Sequence, residues 1–233
     1  FVNRALGISN QLAGYIKDFN LAPITAPAPL NQKLFLLGRE LFFEKKLSGN
    51  NNISCADCHH PTTMSADGLP LGVGEGSFGI ETKAGARQQN TGKLLARNTP
   101  ALFNLHNVPV MFWDGRVQLD ALTGIFTTPS PLPETFGPIL LNSLAAQALF
   151  PMVNHDEMRG QVGTNQIANA KSNEEAWSLL FKKIVDEEKY KNALTELFPN
   201  EVLSIAHVAR AIAHFEEEAF YAADTNYDRY LKG

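Results

Sequence analysis

Cys55-Ala56-Asp57-Cys58-His59 is the segment with the most specific chemistry in the chain. Two thiols stand three positions apart, and an imidazole follows at once. One helical turn brings such thiols to the two vinyl-bearing edges of a porphyrin, where each can form a thioether. The next residue then aims its ring at the central metal. This is the attachment pattern of a c-type haem, with His59 as the proximal iron ligand. A zinc site would take four ligands, usually in two pairs, and the chain has only these two cysteines. A redox dithiol is the other use of such a pair, but here a histidine adjoins it. One covalent haem c is therefore expected. Because haem c is attached outside the bacterial cytoplasm, a periplasmic or otherwise exported location is expected too. His60 adjoins His59 and cannot reach the opposite haem face, so a surface or propionate contact is its expected role.

The elements that must position this motif read as mostly helical. The chain has 233 residues, 44% of them hydrophobic and 19% charged, with a net charge of -4. That length gives one or two domains and a substantial core. The mild acidity excludes nucleic acid as a partner, since its binders present a basic patch. No apolar run reaches the roughly 20 residues of a membrane span, and Ile139 to Met152 is broken by Asn142, Ser143 and Gln147. The chain starts at Phe1 without a Met, as a processed or trimmed product would, which leaves room for a membrane anchor upstream of Phe1.

Apolar spacing predicts a first helix over Asn3 to Phe19, with Leu6, Leu12, Tyr15, Ile16 and Phe19 on one face. Pro23, Pro27 and Pro29 then make Leu21 to Leu30 an extended linker. Asn31 starts a second helix carrying Leu34, Leu37, Leu41 and Phe42, which the turn-rich Ser48 to Asn52 should end. Glycines crowd Gly68 to Gly92, predicting a loop, and Pro129 to Pro138 forms another connection. Ser172 with Glu175 resembles a capping box, with Leu179, Leu180, Ile184 and Val185 following. Glu201 to Ala222 reads as an amphipathic helix with Val202, Ile205, Ala209, Ile212 and Phe215 inward. Very little sheet is expected.

Five further segments, in order, carry a family resemblance. They are Leu37 to Phe43 with Leu47-Ser48-Gly49 and Ile53-Ser54, then Arg97-Asn98-Thr99-Pro100, then Phe112-Trp113-Asp114-Gly115-Arg116. Next come Gln147, Pro151 and Glu157-Met158, and finally Tyr227-Asp228-Arg229-Tyr230-Leu231. Together they resemble the bacterial dihaem cytochrome c peroxidase and MauG family over about Asn31 to Gly233. The resemblance implies a cytochrome-c-like haem domain at 31–233, with long loops, behind an N-terminal helix and Pro-rich linker at 1–30. In the family the N-terminal haem reacts with peroxide, and a second CxxCH lies in a following domain. This chain has no second CxxCH. It is then either a piece of a larger protein or a single-haem variant, and a second haem c is expected only where a further domain exists.

The resemblance also assigns roles. Glu157 becomes the distal acid–base group for peroxide, against an ordinary exposed glutamate in a polar run. Gln147 and Pro151, one turn apart if their segment is helical, become distal pocket residues, against a helix surface and a helix terminator. Trp113 becomes an electron relay between haems, against a core aromatic. Asn98 corresponds to a calcium ligand, its oxygen suiting a hard cation, against a turn residue. Arg97 and Arg116 are candidate partners of haem propionates, against exposed arginines. Many members carry a loop His that blocks the resting iron. Met64 to Ala96 holds no His, so the iron is expected to be open, as in MauG-like members. Other side chains able to ligate iron are Met64, His106, Met111, Met152, His155 and Met158. His207 and His214, seven apart, are read as structural.

Two functions follow. One is an oxidoreductase that reacts with hydrogen peroxide, as a peroxidase fed by a redox protein or as a MauG-like oxidase of a partner protein. The other is a non-catalytic electron-transfer cytochrome c domain or subunit of a larger complex, whose iron would be six-coordinate.

Overall fold

The computed structural model describes residues 2–78, 88–89 and 93–232, with side chains at 10–77 and 93–232. It is a mostly α, cytochrome-c-like fold. Helix α1 (Val2–Asp18) leads into the extended linker, and α2 (Gln32–Phe42) follows it. Asn31 caps α2 by accepting the Leu34 amide through its side-chain oxygen at 3.1 Å. Leu34, Leu37, Leu41 and Phe42 are buried as their spacing requires. The helix stops at Phe42, before Ser48 to Asn52, because the Glu44 carboxylate accepts the Lys46 amide at 2.9 Å and starts a separate 3-10 turn.

The apolar face expected for α1 does not enter the core. Leu12 and Tyr15 are exposed and Phe19 is 70% exposed, while the side chain of Leu6 lies outside the described residues. The linker separates α1 from the core, so its stripe has nothing there to bury against. The linker itself is tied down. The Thr25 carbonyl accepts from His106 Nε2 at 2.8 Å and from Asn107 Nδ2 at 3.3 Å.

The attachment motif forms the one-turn helix α3 (Cys55–Cys58). Two small antiparallel sheets follow. The strands β1 (Ser77–Phe78) and β2 (Gln88–Gln89) pair, and β3 (Val110–Met111), β4 (Val117–Leu119) and β5 (Phe126–Thr127) lie in that order. None exceeds three residues, in line with the expectation of little sheet. Of the glycine-rich stretch, 79–87 and 90–92 lie outside the described residues.

The remaining helices are α4 (Gly137–Leu140), α5 (Ser143–Ala148), α6 (Asn173–Val185), α7 (Glu188–Leu197), α8 (Ile205–Ala219) and α9 (Asn226–Lys232). Ser172 caps α6 by accepting the Glu175 amide at 3.1 Å, but the Glu175 carboxylate returns to the Lys171 amide at 2.7 Å, one residue outside the reciprocal box.

Helix α8 is the centre of the core and packs against α2, α4, α5 and α6. It is shorter than its pattern predicts and is buried on most sides rather than one. Ile205, Ala209, Ile212 and Phe215 are buried, but Val202 lies before the helix and is 93% exposed. The helix starts at Ile205 because His207 Nδ1 accepts the amide of the N-cap Ser204 at 3.1 Å. Alpha-2 crosses it very closely. A Cβ on Gly38 would sit 1.9 Å from the Ala211 carbonyl oxygen. The rings of Phe35, Phe42 and Phe220 gather around Phe215 at 5.1–6.1 Å between centroids.

Candidate haem site

A four-residue helix has too few internal hydrogen bonds to nucleate itself. The clasp at its start supplies what α3 lacks. The Asp57 carboxylate accepts the Ser54 amide at 2.6 Å and the Ser54 hydroxyl at 2.8 Å, satisfying an otherwise orphaned donor. Cys55 and Cys58 are half-buried and form no disulfide. The His59 amide closes the turn on the Cys55 carbonyl at 2.8 Å.

The His59 ring is oriented from behind. Its Nδ1 lies 3.0 Å from the Ser65 carbonyl oxygen. A carbonyl only accepts, so the proton sits on Nδ1 and Nε2 is the nitrogen that can take a metal. Ser65 is fully buried at φ 58°, and its hydroxyl accepts the Leu102 amide at 2.8 Å. Its neighbour Asp67, also fully buried, accepts the Leu69 amide and the Thr99 hydroxyl. Sequence reading missed Ser65, Asp57 and Asp67. Ser54-x-x-Asp57 was readable as a capping pattern. Ser65 offered no signal, because its contacts depend on a left-handed backbone and a partner 37 positions away. His60 acts locally, with Nδ1 accepting the Thr62 amide at 3.2 Å.

Glu157 lies on a π-helical turn, His155–Arg159, a conformation often found at functional sites. Its carboxylate is half-buried and accepts from Asn154 Nδ2 at 3.0 Å. Burial pushes its proton affinity up, the positive charge of Arg116 pulls it down, and Asp156 raises it again, with a net rise. The turn is held from within by Arg159. This buried guanidinium donates to the carbonyls of Ile167 at 2.9 Å and Ala170 at 2.7 Å. A loop lies tightly across the turn. A Cβ on Gly74 would be 1.8 Å from the Asp156 carbonyl oxygen, and the Glu75 amide donates to that same oxygen at 3.2 Å.

Arg116 is thus within electrostatic range of Glu157 without forming an ion pair with it. The guanidinium also stacks on Phe112 at 3.7 Å and pairs with Asp114 at 3.1 Å. Arg97 lies over Trp113 at 4.8 Å. Trp113 is 80% exposed, so the core-aromatic alternative does not hold for it. Gln147 is the one residue of Ser143–Phe150 that is not buried, and its side-chain amide makes no hydrogen bond among the described residues. The segment is not one helix through Pro151. Alpha-5 ends at Ala148, and Pro151 opens a 3-10 turn. Asn98 is exposed and donates to the Leu69 carbonyl at 2.6 Å. Among the described residues no group of three or more His, Cys, Asp or Glu could hold a metal ion.

Of the other side chains able to ligate iron, Met111, Met152 and Met158 are buried in the core and Met64 is exposed. His155 Nδ1 donates to the Gly160 carbonyl at 2.6 Å. His207 caps α8 and His214 Nε2 accepts the Asn31 amide at 3.1 Å, so both are structural. Two thiols one turn apart that form no disulfide, with an imidazole whose Nδ1 carries its proton, form a donor set that fits a covalently attached haem.

Residues 32–233 match the sequence model of a family described as di-haem cytochrome c peroxidase. Cytochrome c551 peroxidase of Nitrosomonas europaea is 26% identical over 213 residues, covering 91% of this chain and 47% of that protein. The methylamine utilization protein MauG of Methylorubrum extorquens is 26% identical over 210 residues, covering 88% and 43%. The diheme peroxidase BthA of Burkholderia thailandensis has a similar fold, with a TM-score of 0.54 at 20% identity over 85% of this chain and 41% of that one. The chain spans less than half the length of these relatives.

Proposed function

Because the chain belongs to the di-haem cytochrome c peroxidase family, we propose that it is a periplasmic c-type haem oxidoreductase that reacts with hydrogen peroxide at an open haem iron. A haem held there supplies the metal that binds peroxide and accepts and donates electrons. Cys55 and Cys58 would hold the ring by thioethers and His59 would ligate its iron. Glu157 would hold and return a proton on the distal side. Gln147 orients the bound species, and Pro151 lines the same distal side. Arg116 tempers the Glu157 charge, and Arg97 and Arg116 are the candidate propionate partners. Trp113 passes electrons at the surface it shares with Arg97. Asn98 is the candidate calcium ligand. Residues 31–233 form the haem domain and 1–30 an N-terminal extension.

The observation that carries this reading is Glu157. Its carboxylate is half-buried on a π-helical turn within the electrostatic reach of Arg116, and burial favours its protonated form. A carboxyl group whose proton affinity burial raises is suited to taking up and returning a proton during peroxide cleavage. Electrons come from a redox protein or from a partner-protein substrate. A second haem contributes only where a further domain is present, and the exposed Trp113 face supports such a contact.

The test is spectroscopic and kinetic. The haem-loaded protein should show a high-spin ferric spectrum that changes on adding peroxide. Glu157→Gln should slow peroxide consumption by about 10²–10⁴-fold. A low-spin haem inert to peroxide in both redox states would return the protein to the electron-transfer reading. Unchanged turnover in the variant would remove Glu157 from the chemistry.

A further inference from the structure

Glu216 lies on α8 with its side chain sealed in the core. The residue is 5% exposed, and its Oε2 is buried without a hydrogen-bond partner. An unpaired carboxylate in such a place is costly unless it carries a proton. Its sequence neighbour Phe215 and the nearby Phe220 belong to the ring cluster around Phe42, which leaves little polar surroundings. The charge of Glu216 acts on the Cys55 thiol. The carboxyl group is therefore within electrostatic range of Cys55, which packs against the same core as Phe42 and Phe215. No role described so far uses it.

We propose that Glu216 is the proton-holding residue of the haem edge, taking up one proton when the attached haem accepts one electron and releasing it on reoxidation. This rests on haem attachment at Cys55, but not on Glu157 or on peroxide chemistry. The balance is simple. One electron arrives from an external one-electron donor, one proton arrives from solvent, and one O–H bond forms at Glu216. Nothing else is made or broken. Added negative charge on the ring penalises a carboxylate beside it, and poor screening in the core makes that penalty large.

Burial, and then the negative charge of Glu217, push the Glu216 carboxyl up to about 8. This puts its titration within the range where such coupling is seen. The groups around it are few. Glu217 accepts from Asn142 at 2.6 Å and lies 3.7 Å from His214 Nδ1. Alpha-4 and α5 carry no titratable side chain. Lys33, Arg39 and Glu40 of α2 and Glu174, Glu175 and Lys182 of α6 are exposed. Lys183 donates to the Ser48 carbonyl, and His106 to Thr25. On α3, Asp57 is clasped by Ser54, and Cys58 is the second attachment thiol.

The experiment is a potentiometric titration of the haem-loaded protein across about pH 5 to about pH 9. In the wild type the reduction equilibrium should shift toward tenfold per pH unit, about 59 mV for one electron. Glu216→Gln should at least halve that slope, and Glu217→Gln should move it to lower pH. Redox-difference infrared spectra of protein with isotope-labelled glutamate should show a carboxylic-acid C=O band growing on reduction. An equal slope in Glu216→Gln overturns the proposal. So does a wild type with no slope. Should Glu216→Gln fail to fold, an unmoved slope in Glu217→Gln or a missing infrared band overturns it equally. A c-type spectrum in the wild type confirms attachment separately, so failure of the attachment and failure of the proton coupling remain distinguishable.

Discussion

Glu157 and Gly74 define each other at the scale of single residues. The glycine has no side chain because the Asp156 carbonyl occupies the place a Cβ would take. Gly74→Ala must push the π-helical turn away, and Glu157 moves with it. The expected outcome is a loss of peroxide consumption of at least about tenfold, with the c-type spectrum retained. Equal activity in Gly74→Ala would show that the turn yields without moving the carboxylate. The haem motif and Glu157 were legible as residue types in order. The partners of these residues were not. Ser65 behind His59 and Gly74 over Glu157 act through backbone atoms, and a backbone carbonyl leaves no trace in residue identity.

The elements show the same division with different physics. Alpha-2 was legible because a capping Asn and apolar spacing agree on one boundary and one face. Alpha-8 was legible as a helix but not in its burial. Its pattern has an inward face, yet packing by α2, α4, α5 and α6 closes most of its circumference. Gly38→Ala should therefore destabilise the fold by about 1–3 kcal/mol, as overpacking does, read as a shift in denaturant midpoint at unchanged slope. Alpha-3 depends on its clasp. Asp57→Ala should cost about 0.5–2 kcal/mol and lower the yield of attached haem. A variant with wild-type stability and haem content would show that thioether formation alone shapes the turn.

Across the whole molecule, the buried Glu216 couples stability to pH. Its native carboxyl is raised to about 8 from an ordinary 4.5, so the folded state keeps a proton that the unfolded chain has released. That contribution is fully present below about pH 4.5, is lost as pH rises to about 8, and is constant above. Urea midpoints of the haem-loaded protein should fall across that window, and Glu216→Gln should flatten the fall. An identical decline in the variant would assign it to another group. The surface holds a second feature of this scale. Trp113, Leu122 and Ile125 stand exposed on or beside the small β3–β4–β5 sheet, in a chain that spans less than half the length of its relatives.

The sequence by itself determined the CxxCH motif, the helical class of the fold, the family, and the order of the candidate site residues. These follow from local spacing, which one helical turn or one cap converts directly into geometry. Only the tertiary structure decided which candidates meet and what surrounds them. It set Arg116 within electrostatic range of Glu157, left Trp113 in solvent, kept the α1 stripe out of the core, and sealed the Glu216 carboxyl in the core. Each of those outcomes depends on burial and on partners far along the chain, and neither is a property of any single stretch of sequence.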